Sequence, residues 1–78
     1  MSVMTKTIQL DTSGLICPEP VMMLHKAIRS MEIGDIVELI ATDPSTERDI
    51  PKFCHFLGHI LRQQNNGETS YCYTIEKR

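Results

Sequence analysis

The spacing of apolar residues changes twice in the first half of the chain, and this limits the fold more than any other feature. Thr5 to Leu10 alternates, with Ile8 and Leu10 on one side and Thr7 and Gln9 on the other. That is the period of a half-buried β-strand. From Pro18 onward Val21, Leu24, Ile28 and Met31 recur at three- and four-residue intervals, and His25, Lys26, Arg29 and Glu32 take the opposite side. That is an amphipathic helix. Asp35 to Ala41 is then apolar or β-branched at nearly every position, the pattern of a strand buried on both sides or nearly so. A strand, a helix and a second strand in this order predict a parallel βαβ unit.

The punctuation agrees. Asp11-Thr12-Ser13-Gly14 reads as a turn. Pro18 suits the first helical position, where its missing N–H has no partner to lose, and Pro20 is still in the first turn. Gly34 stops the helix. Asp43 reads as the N-cap of a second helix with Pro44 at its first position. Ile50, Phe53, Cys54 and Leu57 form its apolar stripe, Pro51 should bend or restart it, and Gly58 ends it. His59 to Gln64 and Glu68 to Glu76 read as two strands around an Asn65-Asn66-Gly67 hairpin turn, with Tyr71, Tyr73 and Ile75 on one face. Both helical stripes need a partner, and one sheet face can bury both. The expected class is α+β: a two-layer α/β sandwich, β-α-β-α-β-β, with a four-stranded mixed sheet and two helices on one face. The other face stays open to water or to a partner. At 78 residues, residues 1–78 are expected to form a single domain.

Charge and cysteine usage exclude several functions. The net charge is −2, whereas affinity built on phosphate neutralisation calls for a basic surface. No apolar run approaches the roughly 18 residues that span a bilayer. Met1 to Leu10 carries one Lys and lacks the apolar centre of a signal peptide. The expected location is the cytoplasm, with no membrane partner. Three widely spaced cysteines, 17, 54 and 72, do not suggest a disulfide framework. There is no Cys-x-x-Cys pair, and Gly58 separates His55 from His59, so no metal site is expected.

Cys17 stands where a loop meets the first helix. Unpaired N–H groups and the helix dipole favour an anion there, which is expected to lower the thiol pKa. Pro18 and Pro20 hold the sulfur at the tip but remove two donors. The alternative, a small apolar residue filling the helix–sheet junction, stays open on these grounds. No His is placed beside Cys17 in sequence, and no second Cys is near. Thiol exchange, in which the thiolate attacks without a general base, suits this setting better than acyl chemistry.

Gly14-Leu15, Cys17-Pro18-Glu19-Pro20, Val21-Met22-Met23, Asp43-Pro44, Arg48-Asp49-Ile50-Pro51 and Phe53-Cys54 resemble the TusA (SirA/TusA-like) family, from about residue 8 to residue 77. The resemblance implies a sulfur carrier of the tRNA 2-thiouridine relay. Cys17 would accept sulfane sulfur from a cysteine desulfurase as a persulfide. It would pass this to a downstream relay protein, with a branch toward molybdenum-cofactor synthesis. Pro18, Glu19, Pro20 and Gly14 would position the cysteine, and no cofactor is implied. The resemblance also implies the two-layer β-α-β-α-β-β sandwich. Family members often carry a basic residue before the motif cysteine; this chain has Ile16, so that charge is absent.

Met22, Lys26 and Arg29, on the polar side of the first helix, are candidates for a partner surface, with Glu19 and Cys17 on the same rim. Met22 has an alternative place tucked against the preceding loop. Asp43 and Arg48 are candidates for a supporting role. Asp49 reads with Arg48 as a surface ion pair. Cys54 reads as core and Cys72 as a passive strand residue. A carrier acting as a monomer is the leading reading. A non-catalytic thiol-based regulatory or RNA- or protein-binding module of the same fold is the alternative. A redox sensor bridging Cys17 to Cys54 or to another chain is a third.

Overall fold

The computed structural model describes residues 6–78. The expected strand start at Thr5 and the reading of Met1 to Met4 lie outside them. The elements are β1 (Thr7–Thr12), α1 (Glu19–Arg29), β2 (Ile36–Ala41), α2 (Thr46–Leu57), β3 (Ile60–Asn66) and β4 (Tyr71–Glu76). The sheet order is β1-β2-β4-β3. β1 and β2 run parallel, as the βαβ reading expects, and β4 is antiparallel to both β2 and β3. The sheet is therefore mixed and the fold is α+β.

Register explains the single core. Ile8 lies beside Val37, Leu10 beside Leu39 and Thr12 beside Ala41; Val37 then meets Ile75, Leu39 meets Tyr73 and Ala41 meets Tyr71. These side chains share one sheet face because strand side chains alternate. They pack with Leu24 and Ile28 of α1 and Ile50 and Cys54 of α2 into one buried cluster. Leu24 is fully buried, a change worth about 1.5–3 kcal/mol relative to exposure. The helices cover only this face. β2 is accordingly buried at Val37, Leu39 and Ala41 but exposed at Glu38 and only partly covered at Ile36 and Ile40, which corrects the expectation of a strand buried on both sides.

Four local readings change. Asp11 and Thr12 belong to β1, because parallel pairing with β2 continues through Thr12 and Ala41. Thr12 is fully buried and its hydroxyl donates to the Ile40 carbonyl at 2.6 Å. α1 ends at Ser30, short of Gly34; the Lys77 ammonium caps this end, donating to the Ile28 and Met31 carbonyls at 2.8 and 2.6 Å. α2 runs through Pro51 without restarting, and its N-cap is Ser45, not Asp43. The hairpin turn is displaced: Asn65 and Asn66 pair with Cys72 and Tyr71, and residues 67–70 close the loop through a Gly67 N–H bond to the Ser70 carbonyl at 2.8 Å. Gly58 does end α2, in the left-handed region at φ 78°, where a Cβ is disfavoured.

Candidate functional site

Two loops at the same end of the sheet build the site: residues 13–18 after β1, and residues 42–45 after β2. Because β1 and β2 are parallel neighbours, both loops leave from adjacent strand ends. Two bonds tie them together. The Gly14 N–H donates to the Thr42 hydroxyl at 2.9 Å, and the Cys17 N–H donates to the Asp43 carboxylate. Gly14 sits at φ 84°, a conformation glycine adopts without the Cβ clash. Asp43 organises the second loop from within. Its other carboxylate oxygen accepts the Ser45 N–H at 3.0 Å. Its carbonyl accepts the Thr46 N–H at 3.0 Å and the Thr46 hydroxyl at 2.7 Å. The Thr46 hydroxyl also meets the Tyr73 hydroxyl at 2.8 Å inside the core. The cysteine loop is thus referenced to the buried sheet through Asp43 and Thr46.

Cys17 is exposed at the start of α1, one residue before the Pro18 N-cap. The donors expected there are mostly missing. Pro18 and Pro20 have no N–H, and the Glu19 N–H is already bonded to the Ile16 carbonyl at 2.9 Å. Of the first-turn positions that normally leave free donors, Val21 alone retains one. Ile16 is 68% exposed and brings no charge. A residue read as a surface ion-pair partner decides the electrostatics instead. The Cys17 thiol donates to Asp49 Oδ2 at 3.1 Å. Asp49 does pair with Arg48, through Oδ1 at 3.2 Å, but it faces the sulfur as well.

The direction of the thiol's pKa reverses accordingly. The Asp49 hydrogen bond, foremost, holds the Cys17 thiol above its ordinary range; partial desolvation and the charges of Asp49 and Asp43 add to this, while the Ser45 hydroxyl works the other way. Sequence reasoning expected a lowered value from the helix end. That effect needs free donors, and the prolines remove them. The same thiol bond holds the Asp49 carboxyl below the usual carboxylate range. Bonds from the Ser45 and Cys17 amides do so for Asp43, the Ser45 bond first. Among the described residues, the Ser45 hydroxyl oxygen is sealed from solvent; it lies near enough to Cys17 and Asp43 to favour their charged forms but makes no hydrogen bond of ordinary geometry.

An open apolar groove of about 560 Å³ runs between the helices from this point. Pro18, Val21, Met22 and His25 form one wall; Lys52, Phe53, Phe56 and Leu57 form the other, with Asp49 at the cysteine end. Phe56 is 78% exposed and Met22 62%, so Met22 is not tucked under the loop. Of the residues singled out in the sequence, Cys17, Pro18, Asp43 and Met22 come together here. Glu19 is exposed in the first turn and Pro20 is buried beneath it. Lys26 lies instead along the other flank of α1, with Leu10, Met23 and Ala27, and Arg29 is exposed in the last turn. Arg48 touches the site only through Asp49. Asp49 and Ser45 were not anticipated; the signal for Asp49 was its place in the Arg48-Asp49-Ile50-Pro51 run.

The other thiols are elsewhere. Cys54 is buried in the core and Cys72 is exposed on the uncovered sheet face, between Ile40 and Asn65. Neither stands in the groove. Among the described residues no group of His, Cys, Asp and Glu could hold a metal ion, and no helix is long and apolar enough to cross a membrane.

Comparison with known proteins gives these features a context. The family model described as "Sulfurtransferase TusA" matches residues 8–77. The "Sulfur carrier protein TusA" of Pseudomonas putida strain W619 is 58% identical over 69 residues, covering 88% of this chain and 86% of the relative. The protein of the same name in Pseudomonas entomophila strain L48 is also 58% identical, with the same coverage. That of Pseudomonas aeruginosa strain LESB58 is 56% identical, covering 88% of this chain and 87% of the relative. A match that runs through both site loops and both helices, with relatives more than half identical along it, makes the chain a member of the TusA sulfurtransferase family.

Proposed function

We propose that this sulfur carrier holds sulfane sulfur on Cys17 as a persulfide, taking it from a cysteine desulfurase and passing it to a downstream relay protein for wobble 2-thiouridine synthesis in tRNA. The observation that carries the reading is the exposed Cys17 sulfur at the mouth of an apolar groove, with the other two thiols remote from it. A carrier sulfur must be reached by two different partners, and a sulfur at the tip of a helix is open to both. Thiol exchange needs no cofactor. Cys17–SH and donor–S–S⁻ become Cys17–S–S⁻ and donor–SH: a bond forms from Cys17 Sγ to the outer sulfur, the donor's S–S bond breaks, and the proton ends on the donor thiol. Delivery repeats the step with an acceptor thiol. Sulfur changes hands without an external oxidant or reductant.

Gly14, Pro18, Glu19 and Pro20 fix the backbone that presents the sulfur, and Asp43 anchors its amide. The docking rim runs from Cys17 and Glu19 along Met22 into the groove, where an exposed Met and Phe56 suit contact with more than one partner surface; Lys26, on the other flank of α1, and Arg29, in its last turn, lie outside that groove. The reading puts the chain in the cytoplasm, as a monomer shuttling between proteins. It does not require direct contact with nucleic acid. The test is to incubate the reduced chain with a cysteine desulfurase and L-cysteine and to map the intact-mass adduct. One added sulfur on Cys17, removed by reductant and absent in a folded Cys17→Ser variant, is expected. No added sulfur beside a desulfurase shown to be active overturns the reading in favour of a non-catalytic binding module.

A further inference from the structure

We infer that Asp49 gates Cys17: its carboxylate accepts the S–H bond that keeps the resting sulfur a thiol, and so keeps an exposed carrier sulfur slow to react until that bond is broken. The inference rests on the reading of Cys17 as the sulfur-carrying residue. Its basis is geometric. The thiol points at Asp49 Oδ2 at 3.1 Å, and this bond exists only while the proton is on sulfur. Ionisation would leave a thiolate against a carboxylate, and the thiolate is the nucleophile. The helix end compensates little, because Pro18 and Pro20 have no N–H and the Glu19 N–H is taken, which leaves the Val21 N–H as the one free donor of the first turn. The charged groups that act on the sulfur are Asp49 from α2 and Asp43 from the β2–α2 loop; Arg48 and Lys52 of α2 and Glu19 and His25 of α1 are the other titratable groups on the elements that meet there. Only Asp49 has its side chain on the sulfur itself; Asp43 holds the backbone amide, and Arg48 engages the far oxygen of Asp49. The direction of the Cys17 pKa, raised chiefly by Asp49, agrees with this arrangement.

A gate of this kind makes a distinction that exposure alone does not. Cys17 and Cys72 are both open to solvent, but among the described residues only Cys17 of the two carries a thiol hydrogen bond that must be given up before it can attack. A partner that draws the Asp49 carboxylate away, by pairing it with a cation, would release the thiol at the moment of docking. Asp49 is thus a positioning residue for the proton on the reacting sulfur.

The test is the pH profile of Cys17 alkylation by iodoacetamide, read by peptide mapping in the full chain and in Asp49→Asn. The midpoint is expected to move down, with several-fold faster alkylation at pH 7. Nucleophilicity falls with thiolate basicity, with a Brønsted coefficient of about 0.4–0.5, so only about half of the logarithmic gain in thiolate reaches the rate. A midpoint that stays in place in the folded variant overturns the gate. A second measurement needs no change at position 49: the Asp49 carboxyl ¹³C shift should show an inflection as Cys17 ionises, absent in Cys17→Ser. Its absence from the unaltered chain overturns the gate equally. Desulfurase loading of the unaltered chain, run alongside, separates the two readings. An unmoved profile with normal loading removes the gate and leaves the carrier; a moved profile on a sulfur that never loads removes the carrier and leaves the gate as a property of the thiol.

Discussion

Thr46 is where the core takes hold of the cysteine loop, and replacing it by Val is the sharpest test of that link. Thr46 and Tyr73 are each 1% exposed. The Thr46 hydroxyl donates to the Asp43 carbonyl at 2.7 Å and receives the Tyr73 hydroxyl at 2.8 Å. Val keeps the shape but removes both bonds. The Asp43 carbonyl retains the Thr46 amide, whereas the Tyr73 hydroxyl is stranded in the core. A buried polar group left without a partner costs about 1–3 kcal/mol. Tyr73→Phe is milder, about 0.5–1.5 kcal/mol, because the Thr46 hydroxyl keeps its carbonyl. Once Thr46 is Val, Tyr73→Phe should cost almost nothing, since it removes the stranded group. The double variant is therefore expected to be more stable than the sum of the single losses by about 1 kcal/mol. Urea unfolding followed by far-ultraviolet circular dichroism suits a chain with no Trp. Thr46→Val should lower the thermal midpoint by about 8–16 °C if its cost is near 2 kcal/mol. Additive losses, or a Thr46→Val no worse than Tyr73→Phe, would refute the reasoning.

Thiol counting separates the three cysteines. Burial pushes the Cys54 thiol up to about 11, so a disulfide reagent at pH 8 should titrate Cys17 and Cys72 in the native chain and reach Cys54 only after unfolding. Three native equivalents would contradict the packing around α2. Asp35 tests the acid limit. Its buried carboxylate accepts the Glu32 N–H at 3.0 Å and the Lys6 N–H at 3.2 Å, and these bonds, Glu32 first, hold it below the usual carboxylate range. A lowered native pKa gives stability that is present above the unfolded value, about 3.9. That stability is lost as pH falls through the native value. Asp35→Asn should therefore flatten the loss of stability below about pH 4; an unchanged slope would show that the two amide bonds contribute nothing to it.

Local pattern carried the element order because each apolar stripe had one period and one face. Leu24 and Ile28, Ile50 and Cys54, and Tyr73 and Ile75 all lie in the core the sequence spacing points to. Where long-range pairing competed with turn chemistry, pairing prevailed. Asp11 and Thr12 look like turn residues but continue a ladder with β2, and Asn65 and Asn66 do the same with β4, with the Asn66 amide reaching Glu47 at 2.8 Å. Cys17 stood out from its motif. Its environment did not, because the carboxylate that controls the thiol is 32 residues away on α2. The approach of Asp49 to the sulfur follows from how two helices share one sheet face. A spacing rule within either helix contains no such information. The helix-end argument allowed for the two donors lost to proline but misled because the Glu19 N–H is also taken, by Ile16, and because a carboxylate from α2 faces the sulfur.

The two motif prolines also decide how the site can be watched. Of Cys17-Pro18-Glu19-Pro20, only Cys17 and Glu19 have backbone amides, so only these two give backbone ¹H–¹⁵N signals. The first reports the Asp43 carboxylate and the second the Ile16 carbonyl. Cys17 therefore joins the side chain proposed to carry the sulfur to an amide anchored on the neighbouring loop. Its resonance is the spectroscopic window on the motif, and the Glu19 resonance beside it is the built-in reference for whether the turn itself has moved.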